Sequence, residues 1–142
     1  MTHLHIAFAA SGATISIVAR DAAGHELGRQ SDMCDGAHAE WKAALLAVQY
    51  AVAQGAERIT LYSHHADVMA ALELRRVDHS GEYRHWAKGR TSGSTPIAEE
   101  DDALVWRIAL MSALFSAFLG RWDARRISAE RNVAMKAIER AA

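Results

Sequence analysis

The sequence predicts an α/β fold, a mixed sheet with helices packed on it. Three observations point there. The chain opens on alternating apolar residues broken twice by turn signals, which reads as an antiparallel meander. Helical and strand periodicities then alternate from Ala37 onward. The length, 142 residues, suits one domain with one core, spanning 1–142.

The first strand follows from Leu4, Ile6 and Phe8 alternating with His3, His5, Ala7 and Ala9, and Ser11-Gly12 then signals a turn. The β-branched stretch Thr14 to Arg20 is a second strand. Asp21 to Gly24 forms a turn, and His25 to Gln30 returns as a third strand. Ala37 to Gln54 is a helix, because Trp41, Ala44, Leu45, Val48 and Val52 recur at helical spacing and Gly55 is a natural stop. Arg58 to Ser63 is a short apolar strand, and His65 to Leu74 is a second helix. Val77 to Pro96 is polar and punctuated by Gly81, Gly89 and Gly93, so it reads as a loop or excursion. The acidic run Glu99 to Asp102 favours a helix N-terminus, and that helix runs to about Leu119, before Gly120. Arg121 to Ile127 is a last strand and Ala129 to Arg140 a last helix.

Composition narrows the function classes. Hydrophobic residues make up 51% and charged residues 23%, the balance of a soluble globular protein. The net charge is -1, so nucleic-acid binding requires a local basic patch rather than a global excess. The single cysteine, Cys34, excludes an internal disulfide and a CxxC knuckle, which fits a reducing, cytoplasmic setting. Met1 to Gly12 lacks the charged region and long apolar run of a secretory signal. Ala103 to Leu119 is the most apolar segment, but it contains Arg107 and is short for a membrane span. We expect a buried or interface helix and no membrane partner.

Four local motifs add to this order of elements. His38-Ala39-Glu40-Trp41-Lys42-Ala43-Ala44-Leu45 places a glutamate before a large aromatic and an Ala/Leu run. Ile59-Thr60-Leu61-Tyr62-Ser63 is a short strand ending on Tyr-Ser. Trp86-Ala87-Lys88 precedes Pro96 and the Leu104-Val105-Trp106 helix. Asn132 to Ala142 sets an asparagine at the head of an alanine-rich helix. Together they resemble the ribonuclease H type 1 family over nearly the whole chain. The resemblance implies a ribonuclease H-like five-stranded mixed sheet, with the meander joined by a fourth and fifth strand and flanked by helices.

Members of that family hydrolyse the RNA strand of an RNA–DNA hybrid with two Mg²⁺ ions held by four carboxylates. Two such cations about 4 Å apart need hard oxygen anions around them. The resemblance maps the first carboxylate, in strand one, to Ala9. The first-helix glutamate maps to Glu40 and the strand-four aspartate to His64. The last-helix aspartate maps to Lys136, or to Met135 in a register one residue earlier. One carboxylate of the four remains. The glycine-rich loop after strand one is reduced to Ser11, Gly12 and Ala13, and the family's flexible histidine maps to Arg126. We therefore expect no catalytic residues, no metal and no cofactor at these degenerate positions. Glu40, His64 and Lys136 are expected to form a polar cluster in which Glu40 is the counter-charge.

Other features carry two readings each. Arg75, Arg76, Arg84, Trp86, Lys88 and Arg90, with His79 and His85, form a basic stretch with an aromatic, suited to a phosphate backbone and a stacked base. The alternative is a solvated loop diluted by Glu73, Asp78 and Glu82. His64-His65, and His3 with His5 on one strand face, have the chemistry of a transition-metal site; surface or satisfied histidines are the commoner outcome. The 103–119 helix is apolar on nearly all sides, which fits either a homodimer contact through Phe115 and Phe118 or extra intrachain cover. The leading expectation is a catalytically inactive ribonuclease H-like protein that binds nucleic acid, such as an RNA–DNA hybrid or duplex, or serves as an interaction module. The alternatives are a structural or regulatory homodimer without a nucleic-acid role, and a residual RNA–DNA hybrid ribonuclease.

Overall fold

The computed structural model describes residues 2–77 and 102–141. Three antiparallel strands come first: β1 (His3–Ser11), β2 (Thr14–Arg20) and β3 (Glu26–Met33). Helix α1 (Ala39–Ala53) leads to β4 (Arg58–Ser63) and α2 (Ala66–Val77). Helix α3 (Asp102–Phe118), β5 (Trp122–Arg126), a 3-10 turn (Ala129–Arg131) and α4 (Val133–Ala141) complete the described chain. The expected excursion from Val77 to Pro96 lies outside the described residues, except for Val77 itself.

The five strands form one sheet in the order β3-β2-β1-β4-β5. β1 pairs antiparallel with β2 and parallel with β4, and β4 pairs parallel with β5. The mixed sheet expected from the sequence is thus formed, with β1 at its centre. Alternation along β1 sends its residues to two different layers. Leu4, Ile6 and Phe8 join Ile15, Ile17, Ile59 and Leu61 beneath α1. On α1, Ala44, Ala47 and Ala51 are buried together with Trp41 and Val48. Small side chains on that stripe let the helix axis sit close to the sheet. Leu110, Met111 and Leu114 of α3, and Val68, Met69 and Leu72 of α2, extend the same core. The opposite face is thinner. There Ala7, Ala9 and Val18 meet Ala134 and Ile138 of α4, with Tyr62, Val133, Met135 and Ala137 at the margin.

Element boundaries differ from expectation most at β3, α2 and the last helix. β3 runs to Met33 instead of ending at Gln30. It is an edge strand, exposed along nearly its whole length, so its continuation carries no apolar alternation to read. Its ladder with β2 nevertheless holds through Thr14 opposite Met33. At Gly28 the Tyr50 hydroxyl of α1 comes so close that a Cβ would collide with it. The last helix does not run unbroken from Ala129: it is interrupted at Asn132, whose backbone is extended at φ -80°, ψ 103°. Helix α2 continues three residues past Leu74, to Val77.

Helix α3 lies against α1. The Arg107 guanidinium stands 5.2 Å from the Trp41 ring centroid, and Lys42 Nζ stands 5.1 Å from that of Trp106. Such contacts let cations cross an apolar seam without losing all electrostatic compensation. Phe118 is 1% exposed and belongs to the intrachain core. Phe115 is half-buried and packs against the same core. Among the described residues no helix is long and apolar enough to cross a membrane.

Removing a buried phenylalanine forfeits its transfer energy and leaves a cavity. Phe118→Ala should therefore lower the unfolding free energy by about 3–5 kcal/mol in urea titration. A loss under about 1 kcal/mol would contradict its core placement.

Candidate functional site

The parallel pairing of β1 with β4 sets the C-terminal end of β1 beside the residues that leave β4. Phe8, Ala9 and Ala10 thereby face Ser63, His64 and His65. The Ser63 hydroxyl donates to the Phe8 carbonyl at 2.8 Å. Asn132 enters from the other side, fully buried, and its Nδ2 donates to the same carbonyl at 3.0 Å. That amide nitrogen also lies 3.0 Å from His64 Nδ1. An amide NH₂ only donates, so His64 Nδ1 is the acceptor and the neutral ring carries its proton on Nε2. Asn132 Oδ1 accepts from the Ala134 and Met135 amides at 3.1 and 3.4 Å. This is the N-cap of α4, since those are the second and third helical residues.

His65 is fixed by a different bond. The Ala10 amide donates to its Nε2 at 3.0 Å, so the neutral ring holds its proton on Nδ1. The two adjacent rings lie 4.2 Å apart, centroid to centroid. Burial holds His65 below the usual histidine range, and neighbouring His64 lowers it further, while Glu40 pulls the other way. Glu40 is partly buried in the first turn of α1.

The expected Glu40–His64–Lys136 cluster is not formed. His64 turns to Asn132, while Lys136 is exposed on α4. Among the described residues neither Glu40 nor Lys136 makes an ion pair or a side-chain hydrogen bond. The reason is local: Asn132 supplies His64 with a neutral donor at close range, so no charge is needed there. Ala9 is 0% exposed and packs its methyl against Ala7, Val18, Ala134 and Ile138. Met135, the other candidate for the last-helix position, packs at the edge of this cluster. Mg²⁺ takes a near-octahedral shell of oxygen ligands. The four positions mapped by the resemblance offer one carboxylate, a buried methyl, an imidazole nitrogen already bonded and an exposed lysine. These residues do not fit a two-Mg²⁺ centre.

The remaining sequence candidates fall elsewhere. Arg126 pairs with Glu73 of α2 at 3.4 Å, which ties β5 to that helix. His3 and His5 do share a strand face, with rings stacked at 4.2 Å. His3 Nε2 is 2.8 Å from Thr60 Oγ1, and His5 Nδ1 is 2.8 Å from the Tyr62 hydroxyl. Among the described residues no three His, Cys, Asp or Glu side chains converge as a metal would require. Arg75 and Arg76 belong to α2. Arg84, Trp86, Lys88 and Arg90 lie outside the described residues.

Sequence reasoning used Asn132 only as a motif marker and missed its role. An asparagine directly ahead of an apolar helical run was the available signal, because such residues cap helices. The Ser63 hydroxyl bond had no signal, since a serine ending a strand is unremarkable in one dimension.

Comparison with known proteins gives a fold. No family model matches the sequence, and no curated protein matches it significantly. Solved structures do. RNase H1 from the halophilic archaeon Halobacterium salinarum superposes with a TM-score of 0.65 at 15% identity, covering 95% of this chain and 92% of the other. The N-terminal RNase H domain of a Mycobacterium tuberculosis protein, solved as a fusion with maltose binding protein, gives 0.60 at 17% identity, with 100% of both chains covered. LC11-RNase H1 in complex with an RNA/DNA hybrid gives 0.57 at 15% identity, covering 98% and 97%. The fold is ribonuclease H-like.

Two outcomes follow from this geometry. Asn132→Ala removes a helix cap and leaves buried partners unsatisfied, so it should cost about 2–4 kcal/mol of stability by urea unfolding. Asn132→Asp should restore the cap but not the two donated bonds, and should fall between the two. His65 has a depressed folded pKa, so the native state binds fewer protons than the unfolded chain just below pH ~6.5. Its stabilisation is complete above that pH and is lost as pH falls through the folded pKa. Unfolding midpoints should drop from pH 8 to pH 5, and His65→Gln, which keeps an acceptor for Ala10, should flatten that slope. An unchanged slope would show that His65 stays accessible to protons.

Proposed function

We propose that this chain is a catalytically inactive ribonuclease H-like protein that binds nucleic acid through the fold's hybrid-gripping side, in a reducing cytoplasm. The observation that carries the reading is the filled position at Ala9. A carboxylate there would sit among Ala7, Val18, Ala134 and Ile138, where a bare charge is strongly disfavoured. Asn132 adds support, because it engages the His64 nitrogen nearest the Phe8 carbonyl. Two neighbours support the nucleic-acid half: LC11-RNase H1 and a foamy viral protease-reverse transcriptase are both in complex with RNA/DNA hybrid. In this chain the candidate contacts are Arg75, Arg76, Arg84, Trp86, Lys88 and Arg90. The single cysteine, Cys34, half-buried and unpaired in a disulfide, supports the reducing setting.

The test is incubation of the protein with a labelled RNA–DNA hybrid in Mg²⁺ and separately in Mn²⁺. No cleavage above a protein-free blank is expected, and Glu40→Gln should change nothing. Cleavage that disappears in Glu40→Gln would instead establish a residual nuclease. Hybrid binding should weaken as salt rises, by a slope of roughly 0.9 per phosphate contact for B-form duplex and of similar order here. Replacing Arg84, Lys88 and Arg90 with glutamine should make that slope shallower.

A further inference from the structure

The sheet face covered by α4 is only half covered. Ala7 and Ala9 lie under the helix, whereas His5, Tyr62 and their neighbours border a cavity of about 310 Å³. Central strands in sheets of this kind are usually apolar where a helix covers them. Here the uncovered stretch is polar and aromatic. The cavity lies between the β2–β3 turn, the sheet face and the segment that enters α4. Its lining includes His5, Arg20, Asp21, Tyr62, Ile127 and Arg131.

The lining sets two arginines, Arg20 and Arg131, against one carboxylate, Asp21, while Glu26, which faces Arg20 across the β2–β3 ladder, is bonded to Arg29. Arg20 stands opposite His5 in the β1–β2 register and reaches the same space as Arg131. Among the described residues neither arginine makes an ion pair or a side-chain hydrogen bond. The one carboxylate of the lining, Asp21, is committed to its own turn. Its Oδ1 accepts from the Ala23 and His25 amides at 3.0 and 2.9 Å, and its Oδ2 lies 3.4 Å from His25 Nδ1. Burial, then His3 and Arg125, lower the His5 pKa, while Asp21 raises it. His5 Nδ1 shares its hydrogen bond with the Tyr62 hydroxyl, which leaves Nε2 as the other polar atom of the ring. Ala7, Ala22 and Ile127 supply apolar lining.

We propose that this cavity binds a small phosphate monoester of mononucleotide size. Arg20 and Arg131 would grip the phosphate, since guanidinium forks match phosphate oxygens and bind them through charge-assisted bonds. The organic body would lie along Ala7 and Ile127, against the edges of the His5 and Tyr62 rings. The volume is at the small end of ligand pockets, which suits one nucleotide and not a longer strand. Ala9, His64 and Asn132 do not line the cavity, and the proposal does not depend on hybrid binding.

The experiment uses the full chain and follows the imidazole resonances of His5 by NMR at pH 7.5. AMP should give a saturable shift, inorganic phosphate should compete with it, and adenosine should give none. Arg20→Gln and Arg131→Gln should each weaken AMP at least about tenfold with an unchanged thermal midpoint, the scale of one lost charge-assisted bond. An RNA–DNA hybrid with hydroxyl ends should not displace AMP. No His5 shift up to millimolar AMP, an equal response to adenosine, full affinity in the Arg20→Gln/Arg131→Gln double variant, or displacement by the hybrid would each overturn the proposal. Failure here leaves the hybrid-binding assay untouched, because that assay follows cleavage and affinity for the hybrid and contains no AMP.

Discussion

The carbonyl of Phe8 holds three parts of the chain together. It is a central-strand acceptor that receives Ser63 from β4 and Asn132 from the entry to α4. A carbonyl has two lone pairs, and both are used. The same asparagine side chain fixes His64 and starts the last helix, so no group on it is idle. In a low-dielectric interior a satisfied network of this kind imposes one arrangement, because every alternative leaves a polar atom bare. The direction of α4, the tautomer of His64 and the end of β1 are therefore set together rather than one by one.

The two layers on the sheet differ in what they ask of the sequence. Beneath α1 the core is thick, and large side chains such as Phe8, Leu61 and Phe118 fill it. Beneath α4 the packing is thin, and alanines at 7, 9 and 134 leave the helix close to the strands. A position in the thin layer has no room for an added charged group and no bulk water to solvate it. The chemical character of the region around Ala9 thus follows from how near the last helix lies. The Asn132 cap is what keeps it near.

Much of this was legible in one dimension. β1 and β2 follow from alternation, β4 from its short apolar run and α1 from its apolar spacing, because those residues are buried and burial leaves a pattern in the sequence. β3 past Gln30 was not legible, since an exposed edge strand such as Ser31-Asp32-Met33 is held by its ladder and not by a core. The break at Asn132 had only the capping asparagine as its signal: the residues on both sides suit a helix, and the side chain's bonds to Phe8 and His64 add to its local cap. For the site, the unusual residues at 9, 64 and 136 could be picked out by resemblance, but their partners could not. Opposite charge suggested Glu40 with Lys136, whereas proximity selected a neutral amide for His64. The Arg20–Arg131 pairing across one cavity had no sequence signal, because 111 positions separate two ordinary surface-type residues.

The bond between Asn132 and Phe8 also spans 124 positions of the chain. Contacts so far apart form only after the cost of closing a long loop has been met, and topologies rich in them fold slowly. During synthesis, β1 emerges from the ribosome long before the residues that complete it. Until α4 is made, Ala7, Ala9 and Val18 form an open apolar strip and the Phe8 carbonyl lacks one of its two donors. The nascent protein must therefore keep its central strand soluble while unfinished, and the histidines at positions 3 and 5 place polar groups on that same face during the wait.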